Sequence, residues 1–428
     1  MPITVTGERT NISEKNEYVS FYDIYTDMTG LKREQHREVS GESDWNRTHD
    51  VRYSNDNGRS WSEWTDIFGD DYTRAADGSW ERMKWWTRAR HLNPVHNHMI
   101  GLGMEVVFIN GHNDAYAAYW KGKKLSTAWH AVLTVRKAGE DTDSEQPVHY
   151  EPGPEYDPNN PTNPEYFITN GCSAGSPFVM KNGDILLTLH PPTEYCCRRL
   201  GIDMKTITPD DSVFTQGMMV ARGKWDGSKY AFTFSEPVVI NDMQSSRGFW
   251  EATVAELNSG RIVVVMRGSN WLAPGSRMEP GTPPYKWYTY SDDGGKTFVP
   301  AVPWHYDTGE AIYASATPSY FIRSTKNGKL YWTGNITDHT ADGNYPRFPI
   351  VIVQVDDTYG YAIRDMLTVI DTQRDYESDK VQLTNHRMLE DRETKNIELY
   401  LEKLGASGIG EGVVWKGDSW KYIIDVGL

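Results

Sequence analysis

Residues 54–61 read Ser-Asn-Asp-Asn-Gly-Arg-Ser-Trp, and residues 291–298 read Ser-Asp-Asp-Gly-Gly-Lys-Thr-Phe. Both follow the pattern Ser-x-Asp-x-Gly-x-Ser/Thr-aromatic. Each is entered by an aromatic-rich stretch, Asp50-Val-Arg-Tyr53 in one case and Tyr285-Lys-Trp-Tyr-Thr-Tyr290 in the other. The chemistry is that of a tight hairpin. The Asp accepts backbone N–H groups inside the turn, the Gly supplies a positive φ, and the closing aromatic anchors the loop on the sheet. Two copies more than two hundred residues apart predict a repeat architecture, and a repeat governs the fold before any local signal does.

A second repeat supports the first. Ser176–Thr188, Ala252–Val264 and Pro318–Leu330 share a strand–turn–strand plan that turns at Gly183, Gly260 and Gly328. Each has an apolar strand, a glycine turn and an apolar or β-branched return. These glycines are 77 and 68 residues apart, and a period of roughly 70 divides the 428 residues into about six units, inside the range of propeller blades. Helical periodicity is nearly absent, and Leu383–Gly405 is too interrupted by Thr, Asn and Glu to read as one helix. No linker composition splits the chain, so residues 1–428 are expected to form one domain. Lys137–Tyr166 and Asn270–Pro284 read as long surface loops of the kind that rim binding sites. Gly412–Asp425 reads as a hairpin that closes the ring against N-terminal strands.

Composition narrows the function classes. The net charge of −15 argues against a nucleic-acid footprint and against anionic membranes. It leaves room for one carboxylate held locally by a few arginines. The 16 Trp and 25 Tyr serve mainly as packing between repeats, with a minority offering flat faces to sugar rings. Three cysteines, of which Cys196 and Cys197 are adjacent, give no disulfide framework and read as structural thiols. No established zinc spacing or cofactor motif stands out, so no cofactor and no metal are expected. Met1–Tyr18 is polar, without an apolar signal core, and no run reaches a membrane span. As written the chain reads as cytoplasmic, or as periplasmic or secreted if a signal peptide has been removed.

Taken together, the two turns and the hairpin repeat resemble the Asp-box (BNR-repeat) sialidase-like β-propellers over most of the chain. That resemblance implies an all-β, six-bladed β-propeller of four-stranded antiparallel blades. Its most specific segment is Glu251–Arg267. In the family a Glu opening such a strand partners the catalytic Tyr, and an Arg closing the return strand binds the substrate carboxylate. Glu251 and Arg267 match those positions, and a guanidinium forks onto a carboxylate through two charge-assisted bonds. Arg347, in Asn344-Tyr-Pro-Arg-Phe, resembles the next carboxylate-binding Arg. Asp44, ten residues before Ser54, resembles the general acid/base that glycoside cleavage requires beside the leaving oxygen. Arg47, His49 and Asp50 crowd the same loop, and Arg47 and His49 join the substrate-binding candidates. The pattern departs from the family twice. The first-blade Arg is absent from Tyr18-Val-Ser-Phe-Tyr22. The last-blade stretch Val381-Gln-Leu-Thr-Asn-His-Arg387 sets His386 or Asn385 where the family has its nucleophilic Tyr.

Histidines supply the remaining signal. His91-Leu-Asn-Pro-Val-His-Asn-His98 sets His96 and His98 on one face of an extended chain, with His112 and His130 close behind. Their near-neutral titration favours acid–base work over metal binding, and His96 and His98 are further substrate-binding candidates. The leading expectation is an exo-acting glycoside hydrolase on a terminal sugar of an oligo- or polysaccharide, acidic sugars included. Asp44, Glu251 and His386 are its catalytic candidates, while Arg267 and Arg347 hold substrate. Direct attack by water would invert the anomeric centre. Two other readings stand beside it. One is a polysaccharide lyase that uses His or Tyr with Arg on a uronate. The other is a non-catalytic carbohydrate-binding propeller.

Overall fold

The computed structural model describes residues 2–12, 17–42, 45–85, 87–108, 119–120, 123–124, 128–209, 215–272, 277–406 and 416–428. Strands dominate throughout, as the hairpin repeat predicts. Three consecutive antiparallel sheets of four strands span residues 173–371. The first contains Ser173–Val179, Ile185–His190, Met219–Trp225 and Tyr230–Phe234. The second contains Trp250–Glu256, Ile262–Arg267, Lys286–Ser291 and Val302–Pro303, and the third Tyr320–Arg323, Leu330–Asn335, Ile350–Val355 and Ala362–Asp371. Each opens with one of the three predicted hairpins, and Gly183, Gly260 and Gly328 turn them at φ values of +86°, +88° and +74°.

A fourth sheet precedes these. It orders Ser144–Pro147, Trp129–Lys137, His98–Phe108, Glu81–Trp85 and Tyr72–Arg74, with His91–Asn93 also paired to His98–Phe108. The chain ends meet in an eight-stranded sheet that runs Gln382–Glu390, Ile397–Leu404, Gly417–Asp425, Tyr18–Tyr25, Arg33–Glu42, Trp45–Ser54 and Thr65–Asp66. Gly417–Asp425 pairs with Ile397–Leu404 and with the N-terminal strand Thr4–Asn11, and touches Tyr18 in parallel. The C-terminal segment therefore does join the N-terminal strands. Within the described part of that segment, Gly417–Asp425 is one strand; residues 412–415 lie outside the described set.

Hydrophobic patterning explains why the sheets stack. Ile185–His190 is buried along its whole length, and so is Ile262–Arg267 except for its final Arg. A strand apolar on both faces must be covered on both faces. Sheet-to-sheet clusters do this: Leu187 and Met219 pack with Leu102 and Leu133, Val254 and Val264 with Leu186 and Val220, and Val263 and Val265 with Trp332 and Val353. Ile350 and Ile352 continue the series against Leu399 and Ile424. The core is thus a succession of layers between neighbouring sheets, as radial repeats require.

The two eight-residue turns are the same device. Ser54 Oγ donates to Asp56 at 2.8 Å and accepts the Gly58 N–H at 2.9 Å, and Ser291 repeats both bonds with Asp293 and Gly295 at 2.7 and 2.9 Å. Asp56 accepts the N–H groups of Arg59 and Ser60 and the Ser60 hydroxyl. Asp293 accepts those of Lys296 and Thr297 and the Thr297 hydroxyl. The three cysteines are buried and unbridged.

Candidate active site

The first strands of several sheets begin at one cavity of about 150 Å³. Tyr18 and Ser20 come from Tyr18–Tyr25, Ser173 and Ala174 from Ser173–Val179, Trp250 and Glu251 from Trp250–Glu256, and Asn385 and Arg387 from Gln382–Glu390. Three of these strands carry a register shift at the cavity: between Ala174 and Pro177, Trp250 and Thr253, and Thr384 and Arg387. Glu251 and Asn385 occupy the bulged positions at φ +44° and +57°. A bulge frees a residue from the ladder and re-aims it. Non-glycine residues at positive φ are costly, and they concentrate at functional sites.

Three carboxylates line this cup: Glu38, Glu251 and Glu402. Their environments separate their charge states. Glu251 is partly buried, and the desolvation opposes ionisation, but Arg267 donates to it at 2.7 Å, with Arg347 and Lys286 behind, and its pKa falls below the usual carboxylate range. Glu38 is also held ionised: burial is outweighed by His49 and Arg387 and by the Tyr22 hydroxyl, which donates at 3.0 Å. Glu402 differs. It sits within Ile397–Leu404, between Thr384 and Ser419 of the flanking strands. Burial pushes its pKa up to about 7, against a hydrogen bond from Ser20 and the nearby Arg387, while Glu38 adds repulsion. Ser20 lies directly across the ladder from Glu38. A carboxylic acid kept protonated beside ionised carboxylates is the arrangement that divides acid from base in one site.

The cup also presents Trp85, Trp129 and Trp250. Trp129 and Trp250 meet edge to face with centroids 5.8 Å apart, and the Arg247 guanidinium lies 4.5 Å over the Trp250 ring. Aromatic faces beside carboxylates suit a ring that is apolar on its faces and polar at its edge.

No family model matches the chain, and no curated protein matches it in sequence. Solved structures do match. A protein of unknown function from Dyadobacter fermentans superposes over 98% of this chain and 99% of its own, with TM-score 0.52 and 12% identity. The NanB sialidase of Streptococcus pneumoniae gives TM-score 0.53 at 11% identity, over 97% of this chain and 70% of its own. A leech intramolecular trans-sialidase gives TM-score 0.53 at 13% identity, over 98% and 70%. The chain has the sialidase-like β-propeller fold.

Within the propeller, the predicted residues separate into groups. Glu251 reaches the cup. Arg267 stands one step behind it, spent on Glu251 and on Asn344 at 3.2 Å. Arg347 donates to Gln382 at 2.5 Å, close enough to Glu251 to lower its pKa. His386 does not join the cup. It is 1% exposed and lines a second, larger cavity; Nε2 lies 2.7 Å from the Thr333 hydroxyl, and burial, with Arg387 and Lys286, drives its pKa down to about 3. That ring stays neutral across the physiological range. His49 is buried beside the cup between Asp71, at 2.5 Å from Nδ1, and His36, at 2.9 Å from Nε2. It faces Glu38 at 3.9 Å, as a support for that carboxylate. Arg47 is exposed, with its guanidinium lying across Gly41.

His96 and His98 do not line the cup. Their rings stack at 5.8 Å, but His96 lies in the turn before His98–Phe108, and His98 is locked between Tyr230 (2.6 Å) and the Trp225 ring. That cluster is packing between sheets. Asp44 and His112 lie outside the described residues.

Sequence reasoning missed Glu402, Glu38, Arg387 and Lys286. Lys286 is fully buried behind Glu251, donates to the backbone oxygen of Thr317, and is pulled by burial and Arg267 to a pKa of about 7. The available signal was the alternation Ile397-Glu-Leu-Tyr-Leu-Glu402, which places Glu398 and Glu402 on one face of a strand that is otherwise apolar.

Proposed function

We propose that the protein is a glycoside hydrolase that takes one terminal sugar into the cup. The observation that carries this reading is the cup itself: three carboxylates from different strands, one with its pKa raised to about 7 and two with theirs lowered, among three tryptophans. Glu402 donates its proton to the departing glycosidic oxygen. Glu251, ionised by Arg267, faces the anomeric carbon as base or nucleophile. A cup of about 150 Å³ lies below the range of about 300–1,000 Å³ for drug-sized ligands, which suits one terminal ring and exo action. The reading takes the sheets as six blades, the eight-stranded sheet being first and last blades joined through Gly417–Asp425.

A neutral terminal sugar fits better than an acidic one. Arg267 is already matched by Glu251, and among the lining side chains the one guanidinium, Arg387, lies close to Glu38 and Glu402. The test is release of sugar from a panel of methyl glycosides, whose alkoxide does not depart without a proton, by wild type, Glu402→Gln and Glu251→Gln, with folding followed by circular dichroism. Each variant is expected to lose at least 10²-fold in kcat, the scale of a lost general acid or base. Full turnover in both folded variants would sink the proposal. A product absorbing in the near ultraviolet would establish a lyase instead, and glycan binding without product a binding module.

A further inference from the structure

The same strands that open onto the cup continue into a second cavity of about 560 Å³. Ser173 and Ala174 line the cup whereas Ser176–Val179 line this cavity; Asn385 lines the cup whereas His386–Glu390 line the cavity; Arg387 borders both. The two spaces are therefore stacked along the strands, and the larger lies in the size range of small-ligand sites.

Its lining is apolar and cationic. Met28, Leu92, Met99, Phe178, Ile322 and Met388 supply the apolar part. Arg90, Arg323, Arg387, Arg392 and Lys395 supply positive charge against a single lining carboxylate, Glu390. Two of these cations are matched: Arg323 forks onto Asp357 at 2.7 and 3.1 Å, and Arg392 pairs with Asp27 at 2.7 Å. Glu390 is occupied by Ser324 and by the backbone and hydroxyl of Thr325. Arg90 and Lys395 form no ion pair among the described residues. Arg90 makes one side-chain hydrogen bond, to His91 at 3.4 Å, and lies close enough to Arg387 for the two positive charges to repel. His386, buried with Nε2 on Thr333, leaves Nδ1 without a hydrogen-bond partner among the described residues. Buried polar atoms are ordinarily partnered, and a guanidinium beside a second cation is stabilised by an anion between them.

We propose that this cavity binds a small organic anion: a carboxylate or sulfonate group drawn in by the cationic lining, in which Arg90 and Lys395 are the cations without an ion pair among the described residues, on a flat apolar body lying over the methionines and Phe178. The site is independent of the chemistry assigned to the cup. The experiment is isothermal titration of the full chain with 2-naphthalenesulfonate and with 2-naphthol, which share the apolar body and differ in charge. The sulfonate should bind at least about tenfold more tightly than the alcohol, and Arg90→Gln and Lys395→Gln should each weaken it by about tenfold, the loss of one charge-assisted contact. Arg90→Lys should recover part of that loss. Should Arg90→Gln not fold, Lys395→Gln carries the comparison, because its side chain is partly exposed. No binding of the sulfonate, equal binding of the two probes, or unchanged affinity in the folded variants would each overturn the proposal.

Discussion

In the proposed glycoside hydrolase, Glu402 is the residue on which the chemistry turns. Its carboxyl sits near pKa 7 because burial outweighs Ser20 and Arg387, while Glu251 and Glu38 are held ionised by Arg267 and by His49 with Arg387. An acid that must be protonated to act gives an alkaline limb. kcat/KM is therefore expected to fall above an apparent pKa near 7, measured on the free enzyme across pH 5–9. A flat profile to pH 9 would assign the proton to another group. Glu251 was legible in sequence because it opens a strand whose partner strand ends in Arg267. Glu402 was not, since its role comes from cross-strand neighbours, Ser20 across from Glu38, that lie hundreds of residues away in sequence. His386 misled for the same reason: a bulge one residue earlier rotates Asn385 into the cup and turns His386 away.

At the scale of elements, the hairpins were readable and the bulges were not. A Gly at a turn or an Asp two residues after a Ser writes its geometry locally, and both eight-residue turns form as read. A bulge in an apolar strand has no comparable residue signature, and here Glu and Asn hold positive φ because the surrounding ladder imposes it. Asn385 tests this directly. Asn385→Gly should leave stability within about 0.5 kcal/mol, whereas Asn385→Val should cost about 1–3 kcal/mol in chemical denaturation, because a β-branched residue resists that conformation. Equal stabilities would show that the strand relaxes its bulge.

For the whole molecule, packing layers between sheets bury several histidines in neutral form. Burial lowers His98 and His190 to about 4 and His91 and His386 to about 3. Folded pKa values depressed below the usual 6.5 mean that the folded state binds fewer protons than the unfolded one. The stability these groups confer is present above pH 6.5 and lost as pH falls toward 3–4. Glu402, raised to about 7, acts oppositely, as do Asp23 and Glu377, whose pKa values burial also raises: its share is present below the usual carboxylate range and lost as pH rises through 7. Thermal melts should accordingly show a steep decline below pH 6; a midpoint unchanged from pH 7 to 4 would contradict the buried-neutral assignment. The all-β class and the layered sheets were visible in the repeat, while the cup, assembled from strand starts of separate sheets, was visible only in part. The most direct test of the central claim compares aryl glycosides of the preferred sugar that differ in leaving group. With Glu402→Gln, kcat/KM should fall by about 10²–10⁴ for a poor leaving group and change little for 2,4-dinitrophenol, which departs without a proton; equal losses for both, or none for either, would contradict Glu402 as the acid.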